Sequence, residues 1–336
     1  MIIAVDMTGA DKGPGEVYEG IRLALRRNNS LRVVPTGPKE FVDLLKAEFG
    51  DRVVAGYHDE EAGRKNNSAT AKAIRLLDIE RAAEHGGLTA DAGVFFGNTK
   101  WPVYWASIGR EKGGLDLLPG IILPPLALTM PTYGGLRKVY MDAGVSVDDV
   151  TAEMLYQFAW LGRAFAQVEL EILDPKLSPH SNGEEPEKGN KLTKDFFKLL
   201  TERKFPGFVG HNAQMTDLIV NVIDVLVSDG FGGNKSFKSV EAGVRLVLEA
   251  LKRHIKSKLI YKLLARLLKS CFDKVKAELD SSEFGCQPLL GIDGAIVGIG
   301  HGSADRYAIA NGIERAMHFA EIELAKRIKK LIPATF

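Results

Sequence analysis

Short β-branched runs separated by longer helical patterns constrain this chain more than any other feature. "IIAV" at 2–5, "LRVVP" at 31–35, "RVVAGY" at 52–57, "AGVFFG" at 92–97, "VIDVLVSD" at 222–229 and "GAIVGIG" at 294–300 read as strands. Between them, "PGEVYEGIRLALRR", "PKEFVDLLKAEFG", "VTAEMLYQFAWLGRAFAQ" and "ADRYAIANGIERAMHFAEIELAKRIKK" return apolar residues every three or four positions, as one buried helix face requires. This alternation predicts an α/β protein: three αβα layers around a mainly parallel sheet covered by helices.

Length and composition set the remaining bounds. With 336 residues, 45% of them hydrophobic, the chain can bury a core as one α/β domain over 1–336, with room for two lobes. Lysine and arginine (44) balance aspartate and glutamate (43), so no global field points to nucleic acid. Cys271 and Cys286 lack CxxC or metal-ligand spacing, which supports neither a disulfide framework nor a metal site and fits a reducing cytoplasm. The start "MIIAVDMTGAD" turns acidic too early for a signal peptide, and no apolar run approaches a membrane span. The expectation is a soluble or at most peripheral protein. The stretch 173–190, "LDPKLSPHSNGEEPEKGN", reads as an exposed loop on the active-site side or as a linker.

Ligands of parallel sheets collect at the carboxyl ends of strands, where helix N-termini offer N–H groups to anions. Four segments fall at that position. After "IIAV", Asp6 ends a strand, Gly9 and Gly13 allow tight turning before Pro14, and Asp11 lies between them. This segment reads equally as a plain strand-to-helix connection. In "FFGNTKWP", Gly97 is followed by Asn98 and Thr99, either a helix cap or donors to a phosphate or carbonyl oxygen. In "SDGFGGNK", Asp229 precedes Gly230, Gly232 and Gly233, which permit close backbone approach. Asn234 can cap a helix, and Lys235 and Lys238 can face an anion. That loop is a phosphate cradle or a structural turn. In "GIGHGSADRYAI", His301, Gly302 and Ser303 end a strand, where the histidine can donate to a leaving group and the serine can bind an oxyanion. No GxSxG, HExxH, GxxxxGK[ST] or strand-to-helix GxGxxG motif is present, so Ser303 is not read as a nucleophile.

Taken together and in order, these segments resemble the phosphate acyltransferase family of bacterial phospholipid synthesis. The resemblance is carried by "DGFGGN" at 229–234 with Lys238 and Glu241 behind it, "SSEFGCQPLLGIDGA" at 281–295 and "HGSAD" at 301–305. Weaker matches are "DMTGAD" at 6–11, "GNT" at 97–99, "MDAG" at 141–144, and "GEE" with "KGN" within 183–190. The resemblance implies a fold similar to the isocitrate and isopropylmalate dehydrogenases, a homodimer, and acyl transfer from acyl carrier protein to inorganic phosphate without metal or organic cofactor. It also implies catalytic roles for His301, Lys238, Asp229 and Asn234. Phosphate or substrate binding is implied for Asp6, Gly9, Asp11, Gly97, Asn98, Thr99, Gly230, Gly233, Gly302 and Ser303.

The chain departs from the family's usual Gly-Asn-Thr-Gly-Ala at Lys100 and Trp101, from its Asp-Ala-Met-Gly-Gly-Asp at Met7, Thr8 and Ala10, and from an acidic Glu-Gly-x-Asp segment at Ala213–Thr216. A short-chain coenzyme A transacylase and a membrane-associated binding protein that kept the fold therefore stand as alternatives.

From Leu251 to Lys269 the sequence spaces Leu251, Ile255, Leu259, Leu263 and Leu267 four apart, with seven basic residues and no acidic one. The stripe reads as core with a solvated basic face, or as a projecting amphipathic segment over 251–280. In the second reading Leu259, Lys262, Leu263, Arg266 and Leu267 meet an anionic membrane or the acidic carrier protein. The resemblance favours the second reading and a cytoplasmic, peripherally membrane-associated protein.

Overall fold

In the computed structural model, which describes residues 1–54, 56–58, 65–279 and 285–336, the strands divide between two sheets rather than joining one. They are β1 (Ile2–Asp6), β2 (Arg32–Gly37), β3 (Tyr57–His58), β4 (Ala92–Phe96), β5 (Leu128–Pro131), β6 (Arg137–Met141), β7 (Leu177–Pro179), β8 (Val225–Val227), β9 (Cys286–Leu289) and β10 (Val297–Gly300). The first sheet has the order β3-β2-β1-β4-β10-β9 and is parallel except for β9, which runs against β10. The second has the order β5-β6-β8-β7, with only β5 antiparallel. Residue 55 of the expected "RVVAGY" strand, residues 281–284 of the "SSEFG" match and residue 280 of the projecting segment lie outside the described residues.

Helices α1 (Pro14–Arg27), α2 (Lys39–Phe49), α3 (Ala69–Arg75), α4 (Lys100–Ser107), α5 (Ala152–Glu169), α6 (Lys191–Glu202), α7 (Met215–Ile219), α8 (Gly230–Ser257), α9 (Leu259–Leu267), α10 (Lys269–Leu279), α11 (Arg306–Glu321) and α12 (Leu324–Leu331) complete the chain. Strand periodicity of two assigns the layers. Ile3, Val5, Val33, Val94 and Phe96 join Ile21, Leu25 and Ile313 of α1 and α11 in one core, while Ala4, Val34 and Phe95 face Ile74 and Trp105 of α3 and α4 in another. In the second sheet Val139, Met141, Val225 and Val227 face α5 in the first core, and Tyr140 and Leu226 face a third. One apolar core therefore runs beneath both sheets.

The sheets are sewn together where β9 is extended by the chain before β5. Leu126 bridges Leu289, and the Ala127 N–H donates to the Pro288 carbonyl at 3.1 Å. The strands β5, β6, β7 and β9 carry no long β-branched run, and their pairing comes from these neighbours. The stretch 173–190 is accordingly not wholly a loop, because its first half contains β7, buried throughout. The closing helical pattern is two helices, broken by Glu323 in the left-handed region (φ 50°).

The loops after β1 and β4 touch main chain to main chain. Gly97 has φ +99°, and a Cβ there would overlap the Gly9 carbonyl oxygen. Gly97→Ala is expected to lower stability by at least about 1–3 kcal/mol through overlap and strain. Gly243→Ala, on α8 with open space around it, is expected to raise helix stability by about 0.5–1 kcal/mol. Urea denaturation of both variants checks the pair.

Candidate active site

Because β1, β4 and β10 are adjacent and parallel, the loops that leave them open side by side on one edge. The Gly97 N–H donates to the Gly300 carbonyl at 3.2 Å, and the Asp11 N–H to the Gly302 carbonyl at 2.9 Å. From the second sheet, β8 leads through Ser228 and Asp229 into α8. The third turn of that helix brings Lys238 Nζ to 2.9 Å from His301 Nε2. Residues more than sixty positions apart thus meet where the loop after β10 faces the helix that follows β8.

Charge decides the proton arrangement there. Lys238 also donates to Glu241 Oε2 at 2.7 Å, so it acts as an ammonium and Nε2 of His301 must accept. The imidazole proton is then on Nδ1, donated to Ser303 Oγ at 2.8 Å, although the Ser303 N–H at 3.2 Å would favour the other tautomer. His301 is exposed overall, yet the packing around its ring, and then the Lys238 ammonium, push its pKa below the ordinary histidine value. Asp11 faces the same histidine and lies against Gly302, where a Cβ would stand 2.8 Å from its carboxylate. The third Lys238 N–H meets no acceptor among the described residues.

The glycines of "SDGFGGN" have a different part from the one expected of a cradle. Asp229 caps α8 by accepting from the Gly232 N–H, and the Gly230 N–H is held by Ser146 through its carbonyl (2.7 Å) and Oγ (2.9 Å). A Cβ on Gly233 would overlap the Asp142 carbonyl oxygen. These residues seat the helix on the 142–146 turn, and the main-chain N–H groups of Gly97 and Gly230 already have protein acceptors. The turn is organised by Asp142, fully buried, whose carboxylate accepts from the N–H groups of Leu126 (2.8 Å), Gly144 (3.3 Å), Val145 (3.1 Å) and Ser146 (2.7 Å). Burial raises its pKa, and these bonds oppose the rise. Asn234 lies against Gly144, its Nδ2 2.9 Å from where a Cβ would be.

Other expected residues are structurally engaged as well. Asp6 is buried and accepts from the Thr8 N–H (2.9 Å), Thr8 Oγ1 (2.7 Å) and Thr70 Oγ1 (2.5 Å), so it shapes the first loop. Asn98 Oδ1 accepts from the Lys100 N–H at 3.0 Å, and Thr99 stands at the start of α4 without a side-chain cap. Lys100 is exposed, with its ammonium 5.3 Å from the Trp101 ring centre. The Ala213–Thr216 segment opens α7, where the Gln214 N–H donates to Asp217 Oδ2 at 2.6 Å.

Two polar residues escaped the sequence reading. Tyr140 is buried on β6, with its hydroxyl 2.6 Å from His180 Nδ1 at the end of β7. His180 lay within the stretch read as loop, and the run "LSP" before it offers no β-branched strand signal.

The basic stripe is divided between helices. Leu251 and Ile255 are on α8, the chain is extended at Lys258, and Leu259, Lys262, Leu263, Arg266 and Leu267 are on α9, none of whose residues is buried. Leu259 and Leu267 are 74% and 82% exposed, against the core reading of the stripe. No helix among the described residues is long and apolar enough to cross a membrane.

Fold and site define an α/β protein whose glycine-rich loops converge on a lysine–histidine pair. The solved structures it resembles include a branched-chain phosphotransacylase from Enterococcus faecalis V583 (TM-score 0.59, 14% identity, covering 95% of this chain and 99% of that one). A phosphotransacetylase from Streptococcus pyogenes also matches (TM-score 0.50, 17% identity, 94% of each chain). At those identities the likeness is one of fold. In sequence, the family described as fatty acid synthesis protein matches residues 1–327. Phosphate acyltransferases of Aliarcobacter butzleri (strain RM4018) and Campylobacter jejuni (strain RM1221) are each 34% identical, covering 98% and 97% of this chain and 96% and 97% of their own. The chain belongs to this fatty acid synthesis, phosphate acyltransferase family.

The depressed His301 pKa gives a signed expectation. Its NMR titration midpoint lies below the ordinary value of about 6.5. Lys238→Met raises it, because both the repelling charge and part of the packing are lost; an unchanged or lower midpoint would contradict the contact.

Proposed function

We propose that this chain transfers a fatty acyl group from acyl carrier protein to inorganic phosphate, yielding acyl phosphate for phospholipid synthesis. The observation that carries the reading is the Lys238–His301 contact at 2.9 Å, which joins motif loops of one sheet to the helix issuing from the other. Family membership supports the same reaction.

Hydrogen phosphate is itself a nucleophile, so the protein's task is positioning and charge stabilisation. A phosphate oxygen attacks the thioester carbonyl carbon, and the carbonyl oxygen takes the negative charge. As the tetrahedral intermediate collapses, the carbon–sulfur bond breaks and the proton brought by hydrogen phosphate goes to the departing sulfur. The remaining Lys238 N–H is the donor for the developing oxyanion. His301, neutral with Nε2 as acceptor, takes the phosphate proton and passes it to the thiolate once Lys238 turns to the substrate. Asp229 and Gly230 hold the origin of α8, Gly302 and Ser303 neighbour His301 in its loop, and Asn98 and Asn234 are assigned to substrate contact on the motif resemblance alone. No step requires a metal or organic cofactor.

The finer architecture belongs to the same proposal: an isocitrate or isopropylmalate dehydrogenase-like fold, one domain in two lobes, working as a homodimer in the cytoplasm. Exposed Leu246, Val247 and Leu251 on α8, where only Gly230 and Gly233 are buried, support a second copy packed there. Exposed leucines interleaved with Lys262 and Arg266 on α9 support contact with an anionic membrane or the acidic carrier protein.

The first test is phosphate-dependent thiol release from palmitoyl-acyl carrier protein, with palmitoyl- and acetyl-coenzyme A in parallel. Release is expected with the carrier protein, falling about 10²–10³-fold in Lys238→Ala. Preference for acetyl-coenzyme A would favour the short-chain transacylase. Absence of release from folded protein would favour a binding protein. For α9, retention on anionic vesicles at low salt is expected to disappear in Leu263→Glu/Leu267→Glu; equal retention of parent and variant would remove α9 as the contact.

A further inference from the structure

The first turn of α8 covers a polar cluster that none of the motif loops contains. Tyr140 and His180 meet edge to face, with ring centres 5.5 Å apart and planes at 80°. Burial raises the Tyr140 phenol pKa far above its ordinary value, so it keeps its proton. Burial lowers the His180 pKa, so its ring is neutral. His180 Nδ1, 2.6 Å away, is the hydrogen-bond partner of the Tyr140 hydroxyl, and a phenol that keeps its proton donates it to a neutral imidazole nitrogen. A neutral imidazole that accepts at Nδ1 carries its hydrogen on Nε2. Among the described residues nothing accepts from that Nε2–H, and His180 is only partly covered.

The ring is placed beside the reaction loop. β7 and β8 are parallel neighbours, and the His180 N–H donates to the Val227 carbonyl at 2.8 Å, one residue before Ser228 and two before Asp229. The Asp229 carboxylate is near enough to act on the His180 ring. The cluster thus ends in one directed neutral donor, at the strand edge where the Gly230 N–H is already engaged by Ser146.

We propose that His180 is a substrate-binding residue whose Nε2–H donates to a phosphate oxygen at the 228–234 loop, and that Tyr140 is the positioning residue that fixes its tautomer. The inference rests on the phosphate acyl-transfer reading, and it names a binding group outside the motif residues. A neutral donor suits this place, since it recognises an oxygen acceptor without forming a salt bridge that Asp229 would compete for.

The test compares the parent with His180→Ala, His180→Gln and Tyr140→Phe, by steady-state kinetics with separate phosphate and acyl-thioester dependences and by calorimetric titration with inorganic phosphate. His180→Ala is expected to raise the phosphate KM and Kd about tenfold, the loss of one hydrogen bond to a charged group. Its thioester KM stays within about twofold. His180→Gln, which places an N–H near the same point, recovers most of the affinity. Tyr140→Phe keeps the packing but frees the tautomer, and raises the phosphate KM several-fold with little change in kcat. Should His180→Ala fail to fold, a shift of the parent's His180 Nε2 resonance on adding phosphate supports the proposal, and its constancy overturns it. Unchanged phosphate KM and Kd in folded His180→Ala overturn it, as does an effect confined to the thioester KM. A parent that binds phosphate through His180 but releases no thiol would overturn the acyl-transfer reading while leaving this site standing.

Discussion

The hydrogen bonding of the Asp142 carboxylate is the interaction on which the arrangement of the site depends. It collects four main-chain N–H groups, from Leu126 and from the turn at Gly144, Val145 and Ser146. Leu126 belongs to the seam where the two sheets meet, and Ser146 holds the first residue of α8. One buried carboxyl group therefore ties the joint between sheets to the origin of the helix that carries Lys238. A buried carboxylate is tolerable only with such donors, and donors left without it would be costly in turn.

That mechanical link sets the chemistry. Lys238 reaches His301 because α8 starts where the 142–146 turn allows, with Gly233 admitting the Asp142 carbonyl at a distance no side chain could share. The ammonium is balanced by Glu241 and the imidazole is neutral, its two nitrogens engaged by Lys238 and Ser303, so the pair offers the remaining Lys238 N–H as its donor. On the opposite wall the close passage of Gly9 and Gly97 brings two loops of the first sheet to the same edge. The glycines thus serve mainly to let main chain approach main chain.

Much of this was legible beforehand where local chemistry dominates. The α1 pattern "PGEVYEGIRLALRR" is the helix Pro14–Arg27, and the strands β1, β4 and β10 fall on β-branched or aromatic runs. His301 and Lys238 each stand out in the sequence as candidate residues, though nothing local pairs them. The strands β5 to β7 and β9 were not legible, because runs such as "LSP" form strands only through their neighbours. His180 was hidden with β7, since nothing local marks a histidine that a tyrosine from a different strand will orient.

By itself the sequence determined the class of fold, the family and the identity of the loops, because periodicity and ordered motifs are properties of neighbouring residues. The tertiary structure alone decided that there are two sheets, that the N–H groups of Gly230 and Gly232 are already engaged, and that α9 stands uncovered. It alone also paired Lys238 with His301 and Tyr140 with His180. The reason is physical: hydrogen-bond partners and burial are set by groups that approach through space, and the spacing of residues along the chain does not contain those distances.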